Sequence, residues 1–161
     1  MRKSVKAASI GNGGGEQKSR RTATRIDSRK AAFVAANAAE AKKGHGTLIL
    51  EVGQVTVLAD YFVIAGGDTS TQVRAMVDAI DEALSRLGMQ PRSIEGKKEG
   101  RWVLMDYETI IVHILQEKER NYYKLEQFWN HALIVDRKEW LEDVSGATET
   151  ARRGNPSTAN K

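Results

Sequence analysis

The stretch EGKKEGRWVLMDYETIIVHIL, residues 95–115, decides the fold because it predicts two adjacent β-strands joined by a short polar turn. In the first strand, Trp102 and Leu104 fall on one face, whereas Val103 and Met105 fall on the other. The second strand, IIVHIL, is also largely apolar on both faces. Strands of this kind lie in the middle of a covered sheet, so the stretch predicts the centre of an α/β sandwich.

Helices and strands alternate on both sides of this stretch. Ser28 is predicted to cap a first helix that stops at Gly44. Thr69 and Gln72 match a capping box at the start of a long amphipathic helix. The order predicts an α/β fold with a mixed sheet of about five strands flanked by helices. The predicted elements are helices at 29–43, 70–87 and 117–132, strands at 47–52, 61–66, 91–95, 101–106 and 110–115, and a short last helix around Trp140.

Basic charge is concentrated at the two ends of the chain. Residues 1–30 carry nine Lys and Arg against two acidic residues, a net charge of +7, whereas residues 31–144 carry 13 basic and 18 acidic residues, a net charge of −5. The ends are also rich in Gly and polar residues, a composition that cannot offset the entropy cost of ordering. We therefore predict a disordered basic arm at 1–27, one folded domain at 28–144 and a disordered tail at 145–161.

The basic arm has three interpretations. It could hold RNA phosphates weakly and without sequence preference, or it could serve only to keep the protein soluble. Its Arg- and Ser-rich, acid-poor composition also resembles an organellar transit peptide. We expect a cytoplasmic protein, with a plastid or mitochondrial location if residues 1–30 are a transit peptide.

Composition narrows the classes of protein. The chain has no cysteine, which excludes disulfides, a thiolate nucleophile and a cysteine-based zinc site. Its apolar runs are far too short to cross a bilayer, and no apolar signal-peptide core follows Met1. These observations predict a soluble protein without a membrane partner.

Several side chains resemble parts of an active site. The Gly-rich turn GGDTSTQ, residues 66–72, could hold a phosphate, but it lacks the Lys of a P-loop and the spacing of a dinucleotide fingerprint. Asp106 and Glu108 resemble a metal-binding carboxylate pair, but Glu108 falls in a turn. His113 has no partner fixed by sequence, which favours a packed strand histidine over a general base. We predict no enzyme and no cofactor; the alternative is a metal-dependent nucleotidyltransferase that uses Asp106 and Glu108, with Gly66 and Gly67 for phosphate.

The same strands carry residue types that are frequent at protein interfaces. Trp102 lies beside Arg101, and the same sheet also offers Tyr107. Large amphipathic aromatic residues and Arg dominate the binding energy at such interfaces. Tryptophan in a strand is also common in protein cores, so residue type alone leaves both interpretations of Trp102 open.

Three segments resemble the ribosomal silencing factor (Iojap/RsfS) family: ADYFVIAGGDTSTQVRAMVDAIDEAL (59–84), the stretch 95–115, and EKERNYYKLEQFW (117–129). The most specific is EGRWVLMDY at 99–107, and the resemblance covers about residues 31–135. It implies an α/β sandwich related to nucleotidyltransferases, without known transferase activity. It also implies that the protein binds the large ribosomal subunit through ribosomal protein fourteen and sterically blocks association with the small subunit, which silences translation. A homodimer is left open.

The resemblance also implies which residues form the partner-binding site. Among the matching positions, we expect Trp102, Asp106 and Tyr107 to touch the partner, and we assign Val103 and Ile111 to the core. Family members commonly have Gly or Asn where this chain has Glu108, which argues further against a metal pair. The residues that match the family's signature are Asp60, Tyr61, Phe62, Gly100, Arg101, Trp102, Leu104, Asp106, Tyr107 and His113.

Overall fold

A computed structural model describes residues 27–124, 127, 129 and 131–141. These residues form a six-stranded mixed sheet with the strand order β3-β4-β5-β2-β1-β6. Strands β2 and β5 are parallel, and every other neighbouring pair is antiparallel. The elements are α1 (Ser28–Ala41), β1 (His45–Glu51), β2 (Tyr61–Gly67), α2 (Ser70–Arg86), β3 (Ser93–Glu95), β4 (Trp102–Asp106), β5 (Ile110–Gln116), α3 (Glu117–Tyr123) and β6 (Leu133–Ile134).

Helices α1 and α2 cover one face of the sheet, here called the helix face. Helix α1 buries alanines and Phe33 against this face, and α2 buries one stripe that includes Val73, Met76 and Ile80. From the strands, Val103 and Met105 are fully buried in the same cluster, as the alternation in β4 predicts. The α/β fold with a mixed sheet flanked by helices is therefore confirmed.

The opposite face of the sheet carries a second, smaller apolar cluster. Phe62 and Leu115 are buried in it, and Trp102 and Ile111 pack against it while remaining partly exposed. The ring of Trp129 packs edge-on against Phe62, with the ring centroids 4.8 Å apart. Cover on this face is thus incomplete near β4, where alternate residues are buried and half-buried. The prediction of strands covered on both faces holds for β5, most of whose residues are buried, and is wrong for β4.

The ends of the first two helices follow short-range capping rules. The residue that caps α1 is Asp27, whose side chain accepts a hydrogen bond from the backbone N–H of Arg29, and not Ser28 as predicted. Thr69 caps α2 as predicted, accepting from the N–H of Gln72 at 3.0 Å. The other half of the predicted capping box is absent, because the Gln72 side-chain oxygen accepts from the N–H of Asp68.

The segment after β5 departs most from the sequence-based prediction. The helix predicted for 117–132 ends at Tyr123, because Lys124 has a left-handed backbone conformation with φ of 48°. A two-residue strand, β6, then pairs with β1 at the edge of the sheet. Residues 137–141 form the predicted short helix, with Trp140 almost fully buried. Of the predicted arm at 1–27, residues 1–26 lie outside the described residues, whereas Asp27 caps α1. The predicted tail at 145–161 also lies outside them.

Within the described residues, no helix combines the length and the apolar character needed to cross a membrane.

Candidate partner-binding surface

Four residues on strands β4 and β5 form a partly exposed strip, here called the open strip: Trp102, Leu104, Asp106 and Ile111. The register places them on one face, since Asp106 lies opposite Ile111 and Leu104 lies opposite His113. All four are half-buried, and Leu104 belongs to neither apolar cluster of the described residues. Because α1 and α2 lie on the helix face, the open strip offers an apolar surface with one carboxylate to a partner.

Trp102 is held in place by the buried side chain of His113. The indole Nε1–H donates a hydrogen bond to Nδ1 of His113 over 3.2 Å. An indole N–H can only donate, so His113 must accept at Nδ1 and carries its proton on Nε2. The imidazole is 6% exposed and packs edge-on against Phe62 at 5.5 Å between centroids. Burial lowers the pKa of His113 to about 4, so the ring is neutral at neutral pH.

Tyr107 lies on the helix face and is buried. Its hydroxyl donates a hydrogen bond to a carboxylate oxygen of Asp81 on α2, over 2.9 Å. Burial, and secondarily the bond to Asp81, raises the pKa of Tyr107 well above its usual range. With 4% of its surface exposed, Tyr107 stabilises the packing of α2 against β4 and lies on the face opposite Trp102. We therefore leave Tyr107 out of the proposed contact surface.

The matching residues at the start of β2 are mostly buried as well. Tyr61 belongs to the cluster on the helix face, whereas Phe62 lies beneath the open strip in the second cluster. Asp60 is half-buried, and its backbone N–H donates to the carbonyl of Thr109 at 2.8 Å. Of these three, Phe62 supports the open strip from below through its contact with His113.

Gly100 and Arg101 belong to the loop that leads into β4. Gly100 has φ of +68°, and a Cβ atom at this position would lie 2.8 Å from the Cβ of Ser70 on α2. Both a positive φ and a close approach favour glycine, so Gly100 fixes the path of the loop over α2. Its carbonyl accepts from the side chain of Gln116 at 2.9 Å, whereas the side chain of Arg101 is exposed. Gly100 thus positions the start of β4. The Arg101 side chain, just before β4, is accessible to a partner.

The arrangement of Asp106 and Glu108 does not resemble a two-metal site. Glu108 has φ of 73° and lies in the turn between β4 and β5, as predicted. Its N–H donates to a carboxylate oxygen of Asp106 over 2.8 Å, which orients that carboxylate toward the turn. The Glu108 carboxylate is largely exposed and lies 3.9 Å from Arg92. Among the described residues, neither acid belongs to a group of three side chains that could hold a metal ion.

Gly66 and Gly67, at the start of the Gly-rich segment 66–72, allow neighbouring elements to approach the end of β2 closely. Gly66 and Gly67 lie inside β2, and a Cβ on Gly67 would come within 2.8 Å of the Met76 side chain. Gly67 thus allows α2 to pack closely against the strand, whereas a Cβ on Gly66 would lie 3.1 Å from the ring of His45 on β1. The turn is thus explained as a strand-to-helix connection.

The open strip contains fewer residues than the predicted partner-binding site. It also includes Ile111, which the sequence assigned to the core. Trp102, Leu104 and Asp106 share it, with His113 beneath. Ile111 was assigned to the core together with Val103, but it lies on the opposite face and is half-buried. The two-residue alternation of β5 could have revealed this, because Ile111 and His113 lie two residues apart and therefore on the same face as Trp102.

Comparisons with known proteins identify the fold and then the family. The crystal structure of a Chromobacterium violaceum protein superposes with a TM-score of 0.64 and 28% sequence identity, over 65% of this chain and 88% of that one. The chain therefore has a known α/β fold with a mixed sheet. The sequence profile described as "Ribosomal silencing factor during starvation" matches residues 25–161, and the chain belongs to this family.

Two relatives give the context of the family. The ribosomal silencing factor RsfS of Bacillus subtilis is 36% identical over 103 residues, which are 64% of this chain and 87% of that protein. A Mus musculus protein named "Mitochondrial assembly of ribosomal large subunit protein 1" is 27% identical over 84 residues, which are 50% of this chain and 37% of that protein. The family resemblance read from the sequence is confirmed, and with it a role in ribosome silencing and translation regulation.

Proposed function

We propose that this protein docks on ribosomal protein fourteen of the large ribosomal subunit through its open strip and sterically prevents the small subunit from joining. The observation that carries the proposal is the open strip itself, a half-buried, largely apolar strip on β4 and β5 in a chain of the ribosomal silencing factor family. Half-exposed Trp, Leu and Ile side chains around one carboxylate supply an apolar centre with a polar neighbour, the usual composition of an interface core.

The expected roles within the open strip follow from chemistry. Trp102 has a large ring whose N–H is already bonded to His113, so its remaining surface is apolar and contacts the partner by packing. Leu104 and Ile111 extend this apolar area on the neighbouring positions. Asp106 supplies a negative charge that suits a basic side chain of the partner.

Charge distribution favours a basic partner for the body of the protein. Residues 31–144 carry 13 basic and 18 acidic residues, a net charge of −5. Ribosomal proteins are on the whole basic because they neutralise RNA phosphates, so the acidic body is attracted over a distance of about one Debye length, roughly 8 Å. The basic residues of the arm at 1–27 would then add a weak contact with ribosomal RNA, and the protein would act in the compartment that holds the ribosomes.

The steric mechanism requires no reaction and no cofactor. A folded body of about 110 residues bound at the joining face occupies volume that the small subunit needs. The alternative, a nucleotidyltransferase using Asp106 and Glu108, receives no support from the geometry of the turn, where the Asp106 carboxylate accepts a backbone N–H. Magnesium-dependent nucleotide binding that is abolished by changing both acids to their amides would favour that alternative.

The proposed function is tested by sedimentation. The purified protein is added to separated ribosomal subunits, and the mixture is resolved on a sucrose gradient. We expect co-migration with free large subunits and, at excess protein, a smaller fraction of assembled ribosomes. Co-migration only with small subunits or with free RNA would contradict the proposal.

A further inference from the structure

Three side chains with metal-binding atoms converge at the carboxyl ends of the parallel strands β2 and β5. His45 begins β1, Asp68 follows β2, and Glu117 begins α3. One ligand atom of each lies within 4.8 Å of the other two, and Nε2 of His45 is 2.9 Å from a carboxylate oxygen of Asp68. Three elements that are distant in sequence thus bring an imidazole and two carboxylates together.

We propose that His45, Asp68 and Glu117 form a site for one zinc ion. An imidazole nitrogen with two carboxylate oxygens is a donor set that suits Zn²⁺, whereas Mg²⁺ and Ca²⁺ favour oxygen ligands alone. Zinc bonds of about 2.0–2.2 Å in a tetrahedron place ligand atoms roughly 3.3 Å apart. The three atoms reach that spacing when His45 and Asp68 separate by a few tenths of an ångström and Glu117 rotates inward.

The backbone on both sides of the zinc site is fixed by hydrogen bonds. The Gln72 side chain accepts from the N–H of Asp68 at 2.6 Å and donates to the carbonyls of Lys42 and Lys43. From the other side, the Arg120 guanidinium donates to the carbonyl of His45 at 3.2 Å. A backbone already held in place reduces the ordering cost of metal binding.

The zinc site borders a cleft of about 510 Å³, which has room for a water as the fourth ligand. The carboxyl ends of parallel strands are where open α/β sheets commonly bind ligands. Glu119 also lines the cleft, and among the described residues its enclosed Oε2 atom has no hydrogen-bond partner. Arg101 and Lys118 lie there as well, and their charges oppose a cation, so we expect micromolar affinity.

Binding is tested by calorimetric titration of the full-length protein with ZnCl₂. The absence of cysteine and the presence of only three histidines keep the background low. We expect one zinc ion per chain, with affinity about tenfold or more weaker in both His45→Gln and Glu117→Gln. Because Glu117→Gln leaves the bond between His45 and Asp68 intact, it separates metal binding from the loss of that bond.

The matched control is His131→Gln, which removes an exposed histidine outside the proposed site. This variant should bind zinc like the wild type, and all three variants should keep the circular dichroism spectrum of the apo protein. Absence of binding at 100-fold the expected micromolar dissociation constant, or loss of binding in His131→Gln alone, would overturn the proposal. So would an unchanged affinity in His45→Gln and Glu117→Gln.

Discussion

The indole N–H of Trp102 donates a hydrogen bond to Nδ1 of the buried His113, and this bond links the exposed open strip to the interior of the sheet. Trp102 is therefore neither a simple surface residue nor a fully buried one. Its orientation depends on a neutral imidazole that has little contact with water.

Stability should depend on pH through His113. Its pKa is about 4 in the folded protein, against an ordinary value of 6.5. As the pH falls below 6.5, the unfolded chain binds a proton that the folded chain excludes, so the folded state loses stability until about pH 4. The difference between these two pKa values corresponds to about 3 kcal/mol in the free energy of unfolding. This stability is fully present above about pH 7 and is lost by about pH 4. Urea unfolding between pH 7 and 4.5 measures the slope.

The contribution of His113 is isolated with a variant. In His113→Gln the decline in stability between pH 6.5 and 4.5 should be shallower than in the wild type, because the titrating ring is gone. His131→Gln, at an exposed position, should retain the wild-type slope. Equal slopes in the wild type and His113→Gln would show that the burial of His113 does not govern the pH dependence.

Trp102 and His113 should be energetically coupled. Trp102→Phe keeps an aromatic ring but removes the donor, which leaves the buried Nδ1 unsatisfied and should cost about 1–2 kcal/mol of stability. In the His113→Phe background the same change should cost about 1 kcal/mol less, because no acceptor remains. The double-mutant cycle is measured by urea unfolding at pH 7.5. Additive effects would mean that the hydrogen bond makes no net contribution.

The backbone conformation of Glu108 should make this residue less stabilising than glycine at the same position. A side chain with φ of 73° is strained relative to glycine, so Glu108→Gly should stabilise the folded protein by about 0.5–1 kcal/mol despite the greater freedom of the unfolded chain. Glu108→Gln is the control: it removes the exposed charge near Arg92 but keeps the strain, and should be nearly neutral. The urea unfolding midpoints of the wild type and the two variants are compared. A lower midpoint for Glu108→Gly would contradict the strain argument.

Much of the fold follows from local patterns. The two-residue alternation in β4 correctly places Trp102 and Val103 on opposite faces. Because a new strand begins at Ile110, Glu108 falls in the turn between β4 and β5. These features depend on two-residue periodicity and turn chemistry, which act over short distances. The left-handed Lys124 that ends α3 and the two-residue strand β6 were not predicted, because tertiary pairing with β1 gives them structure that no local pattern signals.

The site was only partly predictable, and Tyr107 illustrates why. Its residue type suits an interface, and it follows Trp102 closely in a matching motif. Its burial is decided by the bond to Asp81, 26 residues away on α2. A signature motif mixes residues that face a partner with residues that hold the strand in place, and only the register of β4 against its neighbours separates the two.

The basic arm should contribute to affinity but not to folding. Removing residues 1–26 keeps Asp27, whose side chain caps α1, so the free energy of unfolding should stay within about 0.5 kcal/mol of the wild type. Binding to large subunits should weaken modestly, with a smaller dependence on salt, because fewer phosphate contacts are made. Loss of all binding at physiological salt, or an unfolded product, would contradict this assignment.

The central claim, that the open strip binds ribosomal protein fourteen, is tested most directly by the affinity of purified variants for that protein. Trp102→Ala and Leu104→Asp should each weaken binding by about 2 kcal/mol or more, roughly thirtyfold. Ile134→Asp is the matched control, since Ile134 is an exposed apolar residue at the far edge of the sheet, and its binding should be unchanged.

Urea unfolding of each free variant is measured alongside the affinity. Leu104→Asp should lose no more than about 1 kcal/mol of stability, because Leu104 packs in neither apolar cluster, whereas Trp102→Ala should lose about 1–3 kcal/mol through the orphaned His113. We predict that folded Leu104→Asp protein binds roughly thirtyfold more weakly than the wild type, while folded Ile134→Asp protein binds normally. Normal binding by Leu104→Asp and Trp102→Ala, or loss of binding in Ile134→Asp, would contradict it.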